Sequence, residues 1–165
     1  MPHPRASLLA VGATLALLVG CEGASNLIEA PSGQQQTIVS WADGIRLTLR
    51  MDQPEYDLGQ PVVLEFDVKN VSDDRRVFEF ATGCQHDFLV RQGDQLVWSL
   101  SHSQACTEAL SSFELAPGET WSRTDVWDQQ SNKPEPVGPG SYSVTAELPL
   151  MGTPLETESL KIVIR

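Results

Sequence analysis

The residues best equipped for chemistry in this chain of 165 residues are two cysteines and two histidines. They fall in Cys84-Gln85-His86 and in His102-Ser103-Gln104-Ala105-Cys106. Two thiolates and two imidazoles are the ligand set of a tetrahedral zinc site, yet the spacing matches no zinc finger. In an oxidising compartment the same thiols, Cys84 and Cys106, pair as a disulfide, and closing a loop of this length stabilises a fold by about 3 kcal/mol. The disulfide is the expectation, with no metal. Catalysis is harder to seat. Besides His3 near the amino terminus, only His86 and His102 are present, and no serine sits in a nucleophile elbow. Glu65 and Asp67 alternate on the polar face of one strand-like run, and Asp73 and Asp74 share a turn, so both pairs read as solvated surface. There is no phosphate-cradling glycine loop and no dinucleotide fingerprint. Neither enzymatic activity nor a cofactor is expected.

The third cysteine has a different context. Residues 1–21 carry one cation, Arg5, then an apolar run from Leu8 to Val19, and end in Leu18-Val19-Gly20-Cys21. This is the layout of a secretory signal, too short and wrongly flanked for a membrane span. Its last four residues resemble the lipobox of bacterial lipoproteins, which implies that Cys21 is lipidated and becomes the mature amino terminus. The resemblance implies a place in the bacterial cell envelope, anchored by lipid and facing the periplasm or exterior. Two or three acyl chains anchor durably where one does not.

The whole chain has 11 Lys+Arg and 22 Asp+Glu, a formal charge of −11. Removing residues 1–20 takes away Arg5 alone, leaving 10 − 22 = −12. Such a surface repels nucleic acid and anionic headgroups, so no nucleic-acid partner is expected, and contact with a membrane runs through the lipid only.

The elements that must position these residues are short strands. Residues 22–44 are rich in Gly, Ser, Gln, Ala and Pro and read as a flexible tether, about 25 Å in r.m.s. span for twenty residues. Whether 37–41 pairs as an edge strand is left open by the sequence. From 45 to 165 the chain reads as one domain. Ile45, Leu47, Leu49 and Met51 alternate with polar residues, and Val62, Leu64, Phe66 and Val68 do so again before the polar turn 70–74. Further strands are expected at 77–80, 121–127, 142–148 and 160–164. About eight strands with turn signals between them predict an all-β fold, an immunoglobulin-like antiparallel β-sandwich. The centre of it is a hairpin of residues 87–91 and 95–100, turning at Gln92-Gly93-Asp94, with Phe88, Val90, Leu96 and Trp98 on one apolar face. Phe66, Val68 and Trp98 are expected between the sheets. A single helical turn fits only at 106–111. Tyr142, after Pro139-Gly140-Ser141, fits a tyrosine corner whose hydroxyl bonds back to nearby backbone.

Several segments in order resemble the BsuPI-type intracellular proteinase inhibitor domain, roughly over 46–148. They are Leu-Glu-Phe-Asp-Val-Lys-Asn-Val-Ser at 64–72, Thr-Gly-Cys-Gln-His-Asp-Phe-Leu-Val at 82–90, Val97-Trp98-Ser99 and Glu108-Ala109-Leu110. Leu115-Ala116-Pro117-Gly118-Glu119, Trp127 and Pro139-Gly140-Ser141-Tyr142 follow. The resemblance implies an immunoglobulin-like sandwich and a protein partner, a serine protease. Cys84 and Cys106 depart from the family pattern, which suits an exported version. An inhibitor enters a protease cleft with a stiff, exposed segment. The candidates are 101–106, with Ser101, His102, Ser103 and Gln104, and 129–138, with Gln129, Asn132, Pro134 and Pro136. The competing expectation is an interaction module that docks another envelope protein without inhibiting anything.

Overall fold

The structure is a computed structural model that describes residues 34–165. The expected signal, the expected lipobox ending at Cys21 and most of the expected tether lie outside the described residues. Among those described, the fold is all-β, with twelve strands and one helical turn where about eight strands were expected. The excess comes from the two-residue strands β3 (Glu55–Tyr56) and β11 (Leu155–Glu156), from β1 (Gln36–Ala42), and from β8 (Ser111–Leu115).

β1 occupies residues placed in the tether on sequence, where the pairing of 37–41 as an edge strand is left open. It pairs antiparallel with β2 (Ile45–Met51), from Gln36 opposite Met51 to Ala42 opposite Ile45. Between them stand only Asp43 and Gly44, at φ 46° and 77°. Left-handed φ at both central residues is the twist that a two-residue hairpin needs, and Asp-Gly adopts it at low cost. β2 continues into β4 (Val62–Asn70), and β4 into β9 (Thr120–Trp127), giving a four-stranded sheet in the order β1-β2-β4-β9. Strict alternation along β4 buries Val62, Leu64, Phe66 and Val68. Asn70 closes the strand rather than opening a solvated turn. Its buried amide donates to the carbonyls of Asp74 at 2.7 Å and Leu115 at 3.0 Å and accepts from Ser72.

The facing sheet runs β3, β12 (Leu160–Ile164), β10 (Gly140–Leu148), β6 (Asp87–Gln92), β7 (Gln95–Ser99), with β11 also on β10. All its pairings are antiparallel except β3 with β12. The two sheets close on one core. Phe66 meets Phe88 edge to face at 6.2 Å, and Trp127 lies 6.2 Å from Trp98 and 5.8 Å from Tyr142. Phe66, Val68 and Trp98 are buried, as alternation predicts. The tyrosine corner is present: Tyr142 Oη donates to the Gly138 carbonyl at 2.7 Å. A third, two-stranded sheet of β5 (Arg76–Phe80) and β8 lies alongside. It stacks Phe78, Phe113 and Trp121 in series.

The β6–β7 hairpin forms with two differences. Its turn is the two residues Gly93-Asp94, since Gln92 already faces Gln95. A bulge shifts the register, so Arg91 faces Leu96 while Val90 faces Trp98. The extra residue, Val97, reverses parity, and Leu96 leaves the core to stand 38% exposed. The hairpin ends at Ser99, and the one helical turn, α1, lies at Leu100–Ser103 and not at 106–111. Asp87 explains the place: its carboxylate accepts from the Ser101 amide at 3.0 Å and from the Ser101 hydroxyl at 2.5 Å, holding an amino-terminal N–H of the turn.

Candidate functional site

Cys84 and Cys106 are joined, with Cα atoms 5.3 Å apart. The bond closes a ring that carries β6, β7 and α1, so both sulfurs are withdrawn from metal ligation. The histidines are engaged elsewhere. His86 Nε2 lies 2.7 Å from Asp125 Oδ2, with its ring edge-on to Phe88 and Trp121. His102 Nδ1 lies 2.6 Å from the buried Ser99 hydroxyl.

That last contact belongs to a line of groups, His102, Ser99, Ser101, Asp87, with 3.4 Å between the two hydroxyls. It holds the members of a serine hydrolase triad in the wrong order. The imidazole must stand between hydroxyl and carboxylate to accept the proton while the carboxylate orients it. Here it stands at the end, against a buried hydroxyl, and Asp87 binds a serine. The line fastens α1 to β6 and β7.

The two candidate loops, 101–106 and 129–138, meet. A cleft of about 300 Å³ lies between them, lined on one side by His102 and Ser103 and on the other by Asp128, Gln130, Ser131 and Pro134, with Trp98 and Asn132 also in its lining. Asn132 ties the second loop to β7: its side-chain oxygen accepts the Ser99 amide at 2.9 Å, and its backbone amide donates to the Val97 carbonyl at 3.0 Å. The second loop is braced internally by Ser131 N to Glu135 O at 2.8 Å and Val137 N to Gln129 O at 2.9 Å. Pro134 and Pro136 are exposed along it.

The other candidates separate by role. Ser101 is held by Asp87, and Ser103 Oγ bonds the Leu100 carbonyl, so 101–103 is helical and not the extended segment expected. His102, Ser103 and Gln104 remain exposed. Gln129 is 2% exposed and offers a partner no surface. Its side-chain oxygen accepts the Gly59 amide at 2.8 Å and its nitrogen donates to the carbonyls of Asp57 and Gln60 at 2.9 and 2.8 Å, clamping the 57–60 turn.

Beyond the disulfide, 107–111 forms an arch that is not among the candidate binding loops, although Glu108-Ala109-Leu110 is one of the segments that carry the family resemblance. The Thr107 carbonyl accepts from the Gly83 amide at 2.9 Å, and the Ser111 hydroxyl donates to the Thr82 carbonyl at 2.6 Å. Glu108, Ala109 and Leu110 between these ties are exposed. The available signal was Leu110 itself, an apolar residue just ahead of a strand and outside its alternation.

The profile of the family described as BsuPI, intracellular proteinase inhibitor, matches residues 49–152. The chain belongs to the BsuPI family. The match takes in both candidate loops, the disulfide and the arch, and it bears out the resemblance read from the segments at 64–72, 82–90 and 115–119. No curated protein matches the chain. Among solved structures, the sporulation control protein Spo0M of Bacillus subtilis is 14% identical over 75% of this chain and 50% of its own, with a TM-score of 0.47. The alkylpurine DNA glycosylase AlkC of Pseudomonas fluorescens is 11% identical over 75% of this chain and 31% of its own, with a TM-score of 0.47. A β-glucosidase of Listeria innocua is 14% identical over 76% of this chain and 17% of its own, with a TM-score of 0.43. This chain spans half or less of each, and likeness at these scores bears on neither fold nor function.

Proposed function

We propose that this chain is a lipid-anchored proteinase inhibitor of the bacterial cell envelope. Membership of the BsuPI family carries the inhibitory part of the reading. The geometry supports it, because both candidate loops are braced before any partner arrives. Ordering a loop on binding costs about 0.5 to 1.5 kcal/mol for each immobilised side chain, and a loop already held avoids much of that. The partner is a serine protease. Its binding covers the exposed loops on the disulfide side of the sandwich, and protease–inhibitor interfaces of ordinary size bury about 1,600 Å² in total.

Anchoring is supported by the sequence alone, through the apolar run from Leu8 to Val19 and the Leu18-Val19-Gly20-Cys21 ending. Cys21→Ser is expected to release the protein from membranes. Retention in the membrane pellet at high salt would overturn the anchor.

The inhibitory reading is tested by titrating the protein into subtilisin-like and trypsin-like proteases. Stoichiometric loss of activity against at least one supports it. Loss against none leaves the second reading, an envelope interaction module without inhibitory activity.

A further inference from the structure

We infer that the segment which enters the protease is the arch 107–111, with Leu110 as the side chain that fills the protease's primary pocket. The inference rests on the inhibitor reading above and deepens it by naming the segment and the class of protease. A substrate-like inhibitor segment must protrude, present an anchor side chain to solvent, and be fixed at both ends so that the protease does not have to order it. The arch exposes residues 107–110 and is fixed at both ends. Its ends are tied to one short stretch of chain, through Gly83 N to Thr107 O at 2.9 Å and Ser111 Oγ to Thr82 O at 2.6 Å. The Cys84–Cys106 bond fixes the residues immediately alongside. Gly83 permits this closeness, since a Cβ there would meet Thr107 Oγ1 nearer than real Cβ atoms approach anything.

Leu110 is 74% exposed, the most exposed large hydrophobic side chain among the described residues. It contributes nothing to the core, so its chemistry is available to a partner. A large aliphatic anchor selects a serine protease whose primary pocket is apolar, subtilisin-like or chymotrypsin-like, over a trypsin-like enzyme that requires a cation there. The residues that follow support an extended mode of binding. Ser111 and Ser112 open β8, which among the described residues pairs with β5 alone, so its other edge offers backbone groups to a strand of the protease.

The test uses the full chain, Leu110→Ala and Leu110→Lys, titrated against a subtilisin-like, a chymotrypsin-like and a trypsin-like protease. Exposure of Leu110 makes an unchanged melting curve the control for folding. The expected result is inhibition of at least one apolar-pocket enzyme by the natural chain, weakened about thirtyfold or more in Leu110→Ala, the loss that truncating an interface anchor brings. Leu110→Lys should lose the same target and gain the trypsin-like one. Equal inhibition by all three proteins overturns the arch as the contact segment and leaves the inhibitor reading standing. Absence of inhibition by the natural chain overturns both.

Discussion

Asn132 holds Ser99, tying the loop 129–138 to the end of β7, where its side-chain oxygen accepts the Ser99 amide at 2.9 Å. Ser99 is buried at the end of β7, so this amide has no water to turn to. Asn132→Ala should therefore cost about 1 to 3 kcal/mol, the usual penalty for stranding a buried donor. Asn132→Asp keeps the acceptor and should stay close to the natural protein. Denaturant midpoints of the two variants check this, and equal losses would show that the oxygen is not what matters.

Trp98 is nearly sealed between the sheets, 6.2 Å from Trp127. Trp98→Ala should lose about 3 to 5 kcal/mol through the cavity it leaves. Calorimetric melting reads this directly, and an unshifted transition would contradict the packing.

Glu147 lies in β10 opposite Asp87 of β6 and Glu156 of β11. Burial first, then the charges of Asp87 and Glu156, push its carboxyl above the ordinary range, with Arg91 opposing. A raised value means that the folded protein holds this proton more tightly than the unfolded chain does. The associated stability is present below the ordinary carboxylate range, about pH 4, and is lost as pH rises through the raised value. Glu147→Gln should therefore melt higher than the natural protein at pH 7, with the gap closing as the pH falls to about 4. A gap that is constant with pH would rule out the carboxyl as its source.

Replacing both Cys84 and Cys106 with Ala should cost about 3 kcal/mol if loop closure is the whole effect. The Asp87 hold on Ser101 and the Asn132 hold on Ser99 do not pass through the sulfurs. Native-state hydrogen exchange should accordingly quicken more at the Gly83 amide, which bonds Thr107 beside the disulfide, than at Ser99, where only the loss of global stability acts. Equal quickening at both would mean that the two loops and the arch open together.

Much of the fold is legible where one physical rule acts alone. Alternation fixed β2 and β4 because each buries one face completely, and Tyr142 was readable because a tyrosine corner is local. The rest fails where a distant residue decides. Leu96 and Trp98 sit two apart, yet Val97 bulges between them and sends Leu96 outward. In β1 the outward face carries Val39 and Trp41 while Ser40 points the other way, so its pattern does not mark a strand; the Asp43-Gly44 turn was the better signal. Gln129 looks like loop surface in sequence and is buried because it satisfies backbone groups of the 57–60 turn about 70 residues earlier. Asp87 relocates the helical turn in the same way, from across the hairpin. The candidate loops were identifiable by composition, but the tie of the second one to β7 runs through Asn132, whose partner Ser99 lies 33 residues away.

β9 and β7 are outer strands of the two large sheets among the described residues, and both carry features that oppose the addition of a further strand. On β9, Arg123 and Asp125 share the side that β4 buries, Arg123 lying over Trp121 and Asp125 against His86. Charges turned inward on a rim oppose the addition of another chain. On β7, Asn132 already occupies the Val97 carbonyl and the Ser99 amide. Both rims are thereby guarded against the edge-to-edge pairing through which crowded β domains link into filaments.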